Sequence, residues 1–172
     1  MAEQVLFQGK RFAVHELQTT LADGQPYRKE VIRQPGAVVI LPLLDPQTVV
    51  MIRNHRLTIG QTLLELPAGT MEADEAPETT AHRELLEETG YRAGKLEYVQ
   101  SFFAAPGNCD EEMFLFVARD LEAGDPAREA GEQIENEPLP WVEIERRLRE
   151  GEIHDAKTLI GLLHYRAFKP SE

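Results

Sequence analysis

The run from Pro67 to Tyr91, PAGTMEADEAPETTAHRELLEETGY, constrains the chain most, because seven carboxylates fall in it and a helix starts and stops inside it. Pro77 suits a first helical position and Gly90 the residue just past a last turn, with no Gly or Pro between them. Each helical residue turns by about 100°. Glu84, Glu87 and Glu88 therefore project from one stripe, while Leu85 and Leu86 point away from it toward a core. Arg83 stands one turn before Glu87 and can brace it. Like charges at this spacing repel by roughly a few tenths of a kcal/mol per pair on an exposed helix, and by more where water is excluded. A hard divalent cation turns that repulsion into ligation, and an all-oxygen donor set suits Mg²⁺, with Mn²⁺ as a substitute. The bland alternative is a solvated acidic face, the usual meaning of a charge run.

Around this helix the pattern is mostly strands. KRFAVHELQTTL (10–21) alternates loosely, turns at ADGQP and pairs with YRKEVIRQ (27–34) as a hairpin. GAVVILPLL (36–44) is a buried strand, DPQ a turn, TVVMIRNHR (48–56) another strand, and TLLELPAG (62–69) an extended piece ending at Gly69. KLEYVQSFFAA (95–105) and EEMFLFVARDL (111–121) are strands around the turn PGNCD. EAGDPAREAGEQIENEP (122–138) is polar and is expected to be an exposed loop, followed by a last strand LPWVEI (139–144). ERRLREG and DAKTLIGLLHYRAF are expected helices, the second with Leu159, Leu162, Leu163 and Phe168 on an apolar face. Strands, one helix, strands and then helices make a mixed α/β sandwich rather than a doubly wound sheet.

Composition removes several function classes. With 172 residues the chain is expected to be one domain spanning 1–172. A formal charge of −12 argues against a nucleic-acid partner, whose binders carry basic surfaces. The N-terminal stretch lacks the apolar core of a secretory signal, and the longest apolar run is too short to span a bilayer, so no membrane partner is expected. The single cysteine, Cys109, forms no internal disulfide and fits a reducing compartment, so the cytoplasm is expected. The five histidines show no metal-ligand spacing.

Taken together, the spacing Gly69, five residues, Glu75, seven residues, Arg83-Glu84-Leu85, one residue, Glu87-Glu88, one residue, Gly90 resembles the signature of the Nudix hydrolases. Tyr91 departs from it, where the family usually has an aliphatic residue. The resemblance implies an α/β/α sandwich with a mixed sheet, in which a loop–helix–loop binds metal. It implies hydrolysis of a nucleoside diphosphate linked to another group. Carried over position by position, Glu84 and Glu88 are the principal ligands, Glu87 assists, and the carbonyl of Ala68 is a further ligand. Arg83 orients the glutamates, Gly69 and Gly90 are structural, and Glu75 supports the loop. Asp74, before Glu75, tolerates the left-handed turn such a loop needs.

The similarity extends over residues 10 to 168, through GAVVILPLL, VVMIRNHR, LLELPAG, Pro106-Gly107 and GEIHDAKTLIGLL, toward the ADP-ribose pyrophosphatase and nucleoside diphosphate sugar branch. That branch implies a glutamate base late in the chain. The candidates are Glu129, Glu132, Glu135 and Glu137, with Glu135 favoured and Glu132 next. It also implies that Arg56, with Arg53 as the weaker candidate, contacts the substrate. Arg28 and Glu30 match a region touching the adenine side, Pro106 and Gly107 a substrate-side turn, and Glu111 an acidic position near the metals. Glu65 is expected to brace an arginine or the loop, and Trp141 to be core. The substrate implied is a small nucleotide sugar. ADP-ribose leads, GDP-mannose or another sugar nucleotide is the alternative, and a non-hydrolytic nucleotide sensor is the reading from a different class. The N-terminal strands, residues 1–35, suggest a homodimer.

Overall fold

The computed structural model describes residues 1–127 and 133–168. Its centre is β4 (Ala37–Asp45), whose first seven residues are all buried. A strand buried on both faces must lie between two apolar layers, and two clusters flank it. Val39, Leu41 and Leu43 face a larger cluster containing Trp141, Ile144, Leu162 and Tyr165. Val38 and Ile40 face a smaller one containing Ala81, Leu85, Phe116 and Ala118. The molecule is thus the expected α/β/α sandwich, with α1 (Pro77–Thr89) on one face and α2 (Trp141–Glu150) and α3 (Ala156–Phe168) on the other.

The main sheet runs β10 (Ile134–Pro140), β5 (Thr48–Arg56), β4, β9 (Glu112–Ala123), β8 (Tyr91–Phe103). β6 (Gln61–Glu65) pairs with β5 and β7 (Ala68–Thr70) with β4. β4 and β9 are parallel and the other pairs antiparallel, so the sheet is mixed. A separate antiparallel sheet holds β1 (Ala2–Gln8), β2 (Ala13–Thr20) and β3 (Pro26–Arg33).

Four expectations are corrected. Residues 2–8 form a strand ahead of the expected first one. Residues 134–138, expected in a loop, are a strand paired with β5. WVEI, expected to be a strand, opens α2, because Trp141, Ile144 and Leu148 meet the core at helical spacing. Leu163 and Phe168 are 54% and 72% exposed, so the apolar stripe of α3 that meets the core is the buried Leu162 and Tyr165 with the partly buried Leu159. Trp141 is core as expected, stacked on Tyr165 with ring centroids 5.4 Å apart.

Candidate active site

α1 begins at Pro77, and its last turn is closed by Gly90, whose N–H donates to the Leu86 carbonyl at 2.8 Å. Gly90 has φ 80°, and a Cβ there would meet the Gly124 carbonyl oxygen at 2.6 Å, so two separate constraints demand glycine. The loop before the helix turns at Asp74, the left-handed residue the sequence anticipates, with φ 63°.

Glu84 and Glu88 are 9% and 3% exposed. A solvated acidic face is therefore not what α1 presents. Glu84 lies against the backbone of Gly69, where any Cβ would coincide with its carboxylate. Glu88 accepts the Ala68 N–H at 2.9 Å. Ala68 and Gly69 belong to β7, pinned to Val39 and Val38 of the central strand. Two buried carboxylates are thus held against one rigid backbone segment.

Arg83 fastens this arrangement. Its guanidinium donates to Glu75 at 3.1 and 2.8 Å, to Glu84 at 2.7 Å, to Glu87 at 3.1 Å and to the Thr70 carbonyl at 3.1 Å. The paired hydrogen bonds from Arg83 hold the Glu75 carboxyl down at about 2, with the Glu72 backbone adding to the effect. The same contacts raise Arg83 above its ordinary value, Glu75 contributing most.

The substrate-side candidates are more dispersed. Arg56, at the end of β5, donates to Glu65 at 2.8 and 2.5 Å, so Glu65 braces an arginine as expected. Glu65 raises Arg56, with the Glu88 carboxylate adding to it from nearby. Glu111 is raised by partial burial, against a hydrogen bond with Gln34 and the charge of Lys157. Arg53 pairs with Glu137 at 2.5 Å, and Arg147 of α2 reaches the same carboxylate at 3.0 Å. Arg28 is largely exposed, 3.7 Å from Glu16, and Glu30 is exposed opposite Glu16 in register. Pro106 and Gly107 line a groove of about 300 Å³ together with Lys29, Arg33 and Cys109. Glu135 stands exposed on β10 opposite Arg53. Strand alternation puts it on the side of Glu137 and Leu139, toward α2, whereas Asn136 donates to the Thr89 carbonyl at the end of α1 at 2.7 Å. Glu129 and Glu132 lie outside the described residues. The sequence reading passed over Asn136 and Lys157. Asn136 reaches Thr89 across 47 residues and Lys157 reaches Glu65 across 92, so no local spacing marks these contacts.

Residues 33–160 match the model of the NUDIX domain. The chain belongs to the Nudix family. It is 34% identical over 164 residues to the ADP-ribose pyrophosphatase of Bacillus subtilis, covering 94% of this chain and 89% of that protein. It is 35% identical over 158 residues to the GDP-mannose pyrophosphatase of Cronobacter sakazakii, covering 84% and 82%. A crystal structure of an ADP compounds hydrolase shares the fold, with a TM-score of 0.86 over 98% of this chain and 91% of that one at 22% identity.

Nudix hydrolases use divalent metal ions, and the donors here fit that requirement. Glu84, Glu87, Glu88 and the Ala68 carbonyl are all oxygen donors, and the principal pair is shielded from water. Among the described residues no three acidic, histidine or cysteine side chains already form a metal-ready cluster. Arg83 draws Glu84 and Glu87 to itself, and the Ala68 N–H holds Glu88. No described helix is long and apolar enough to cross a membrane.

Proposed function

We propose that this Nudix domain hydrolyses the diphosphate bond of ADP-ribose or a related nucleoside diphosphate sugar, giving a nucleoside monophosphate and a sugar phosphate. The observation that carries the proposal is the buried Glu84–Glu88 pair seated on Ala68 and Gly69, in a chain similar to ADP-ribose and GDP-mannose pyrophosphatases. In this reading Glu84 and Glu88 hold Mg²⁺, or Mn²⁺ in its place, with Glu87, Glu111 and the Ala68 carbonyl assisting. Bound divalent ions neutralise the diphosphate and lower the pKa of water. Arg83 keeps the ridge in register, and Glu75 keeps Arg83 in place. Arg56 presents a fixed positive fork to the substrate, with Arg53, Arg28, Glu30, Pro106 and Gly107 as its outer contacts. The base that takes a proton from water comes from the segment that leads into β10; Glu135 lies on the α2 side of that strand, away from α1, which favours Glu132 over it. A purely sensing module has no need for four correctly spaced glutamates beside a partly buried arginine fork.

The protein is read as one domain over 1–172, cytoplasmic, and a homodimer through its N-terminal sheet. Incubation with ADP-ribose and Mg²⁺, followed by chromatography for AMP, tests the reaction. GDP-mannose and UDP-glucose run beside it rank the sugar nucleotides. Glu88→Gln is expected to lower turnover by at least about a thousandfold, an effect the size of losing a metal ligand's charge, with an unchanged circular dichroism spectrum. A Glu88→Gln protein with wild-type turnover refutes the metal assignment, and absence of AMP from the wild type refutes the substrate.

A further inference from the structure

Next to the acidic ridge, β6 buries a carboxylate completely. Glu65 is 0% exposed. A buried charge is tolerated only when partners replace its water, and Glu65 has two from different elements. Arg56 donates to Oε1 at 2.8 Å and to Oε2 at 2.5 Å. Lys157, in the first turn of α3, donates from Nζ to the same Oε2 at 2.6 Å. Lys157 also pairs with Asp155 at 2.9 Å.

Asp155 also ties this cluster to the start of α3. Its other oxygen accepts the Thr158 N–H at 3.0 Å and the Thr158 hydroxyl at 2.6 Å, so it caps α3 and faces the positive end of the helix. Thr158 Oγ1 in turn accepts the Leu66 N–H at 2.8 Å. Gly161 allows the close approach, since a Cβ there would lie 2.7 Å from Leu66 Cδ1. The start of α3 therefore grips Glu65 and Leu66, the two residues that lead into the Pro67–Gly69 backbone under the ridge.

Without Lys157, Arg56 would face two carboxylates, Glu65 and Asp155, and the group would carry a net negative charge that disfavours an anion. Lys157 on the shared oxygen brings the four groups to neutrality, beside Glu88, which acts on Arg56, and beside Glu111, on which Lys157 acts. We propose that Lys157 is a positioning residue for the reaction: by sharing the buried Glu65 carboxylate it fixes the Arg56 fork and preserves its positive charge for the diphosphate of the substrate. This rests on the diphosphate reading above.

The test compares wild type, Lys157→Met and Lys157→Arg in two measurements. The first is kcat and KM on ADP-ribose with Mg²⁺. The second is calorimetric binding of inorganic pyrophosphate with Mg²⁺, with uncharged adenosine as control. Lys157→Met is expected to raise KM about tenfold with kcat within about threefold, and to weaken pyrophosphate about tenfold while leaving adenosine unchanged. Lys157→Arg restores both. A Lys157→Met protein with wild-type KM and pyrophosphate affinity overturns the proposal. So does one that loses adenosine and pyrophosphate affinity equally along with melting temperature, the signature of a merely structural lysine. If Lys157→Met does not fold, the double variant Glu65→Gln/Lys157→Met removes the buried charge with its partner. Pyrophosphate affinity within about threefold of wild type supports the charge balance, and a loss of about tenfold overturns it. A wild type that leaves ADP-ribose intact defeats the substrate reading, and the pyrophosphate arm still decides the role of Lys157.

Discussion

The acidic helix and the N-terminal sheet hold their most costly groups in opposite ways. α1 keeps two carboxylates almost out of water, and they are held largely from nearby chain: Arg83 beside them, Glu75 before them through Arg83, Ala68 and Gly69 beneath them. β1 keeps apolar side chains in water. All seven of its residues are exposed, and Val5, Leu6 and Phe7 are each about half exposed, at 52%, 51% and 54%. None of them joins either core cluster. Burial of such side chains is worth about 1.5–3 kcal/mol each when complete, and a three-stranded sheet alone cannot supply it. Charge can be stabilised by contacts that a short stretch of chain carries with it. Apolar surface needs another surface, and for β1 the proposed homodimer would supply it.

The difference breaks most sharply at Gly69. Gly69→Ala puts a methyl group where the Glu84 carboxylate lies and displaces it by about the width of the group. Turnover is expected to fall about 100-fold, the usual scale for misplacing a reacting group by an ångström, with the thermal midpoint little changed. Wild-type turnover in Gly69→Ala means that Glu84 works elsewhere. A smaller effect is expected from the sheet. Val5→Asp with Phe7→Asp places charges on its uncovered surface. Solution mass is expected to fall from twice 19.4 kDa to 19.4 kDa, and KM to rise severalfold through Arg28 and Glu30 on the same sheet. A wild type already at 19.4 kDa removes the homodimer.

The same contrast explains what the sequence made legible. α1 declares itself because Pro77, Gly90 and the glutamate stripe all follow one helical period, and the observed helix starts and ends at those residues. β1 has no period to read, since neither of its faces packs on the core. β10 hides for a related reason. Only Ile134 and Leu139 are buried, Glu137 is satisfied by Arg53 and Arg147 and Asn136 by the Thr89 carbonyl, and its two prolines are tolerable because it is an edge strand. WVEI is rich in strand formers, yet burial of Trp141 and Ile144 three residues apart outweighs that preference. The Lys157–Glu65 pair joins positions 92 residues apart, a distance that only the folded sheet closes.

The smallest expected effect separates the fastening of the ridge from its chemistry. Arg83 holds the Glu75 carboxyl at about 2 against an ordinary 4.5, so folding favours its ionised form. A carboxylate lowered in this way stabilises the fold fully above 4.5, and the contribution is lost as pH falls through that value toward 2. The pair is partly exposed, with side chains 12% and 24% accessible, so screening limits the effect to about 1 kcal/mol. Glu75→Gln is expected to be less stable than wild type by that amount at neutral pH, and the two denaturation curves should converge as pH approaches 2. The variant should also lose turnover only severalfold, because Arg83 keeps its contacts with Glu84, Glu87 and the Thr70 carbonyl. Curves that stay parallel throughout the acid range would place the stabilising charge elsewhere. A collapse of turnover as deep as that expected for Glu88→Gln would make Glu75 part of the chemistry rather than of its support.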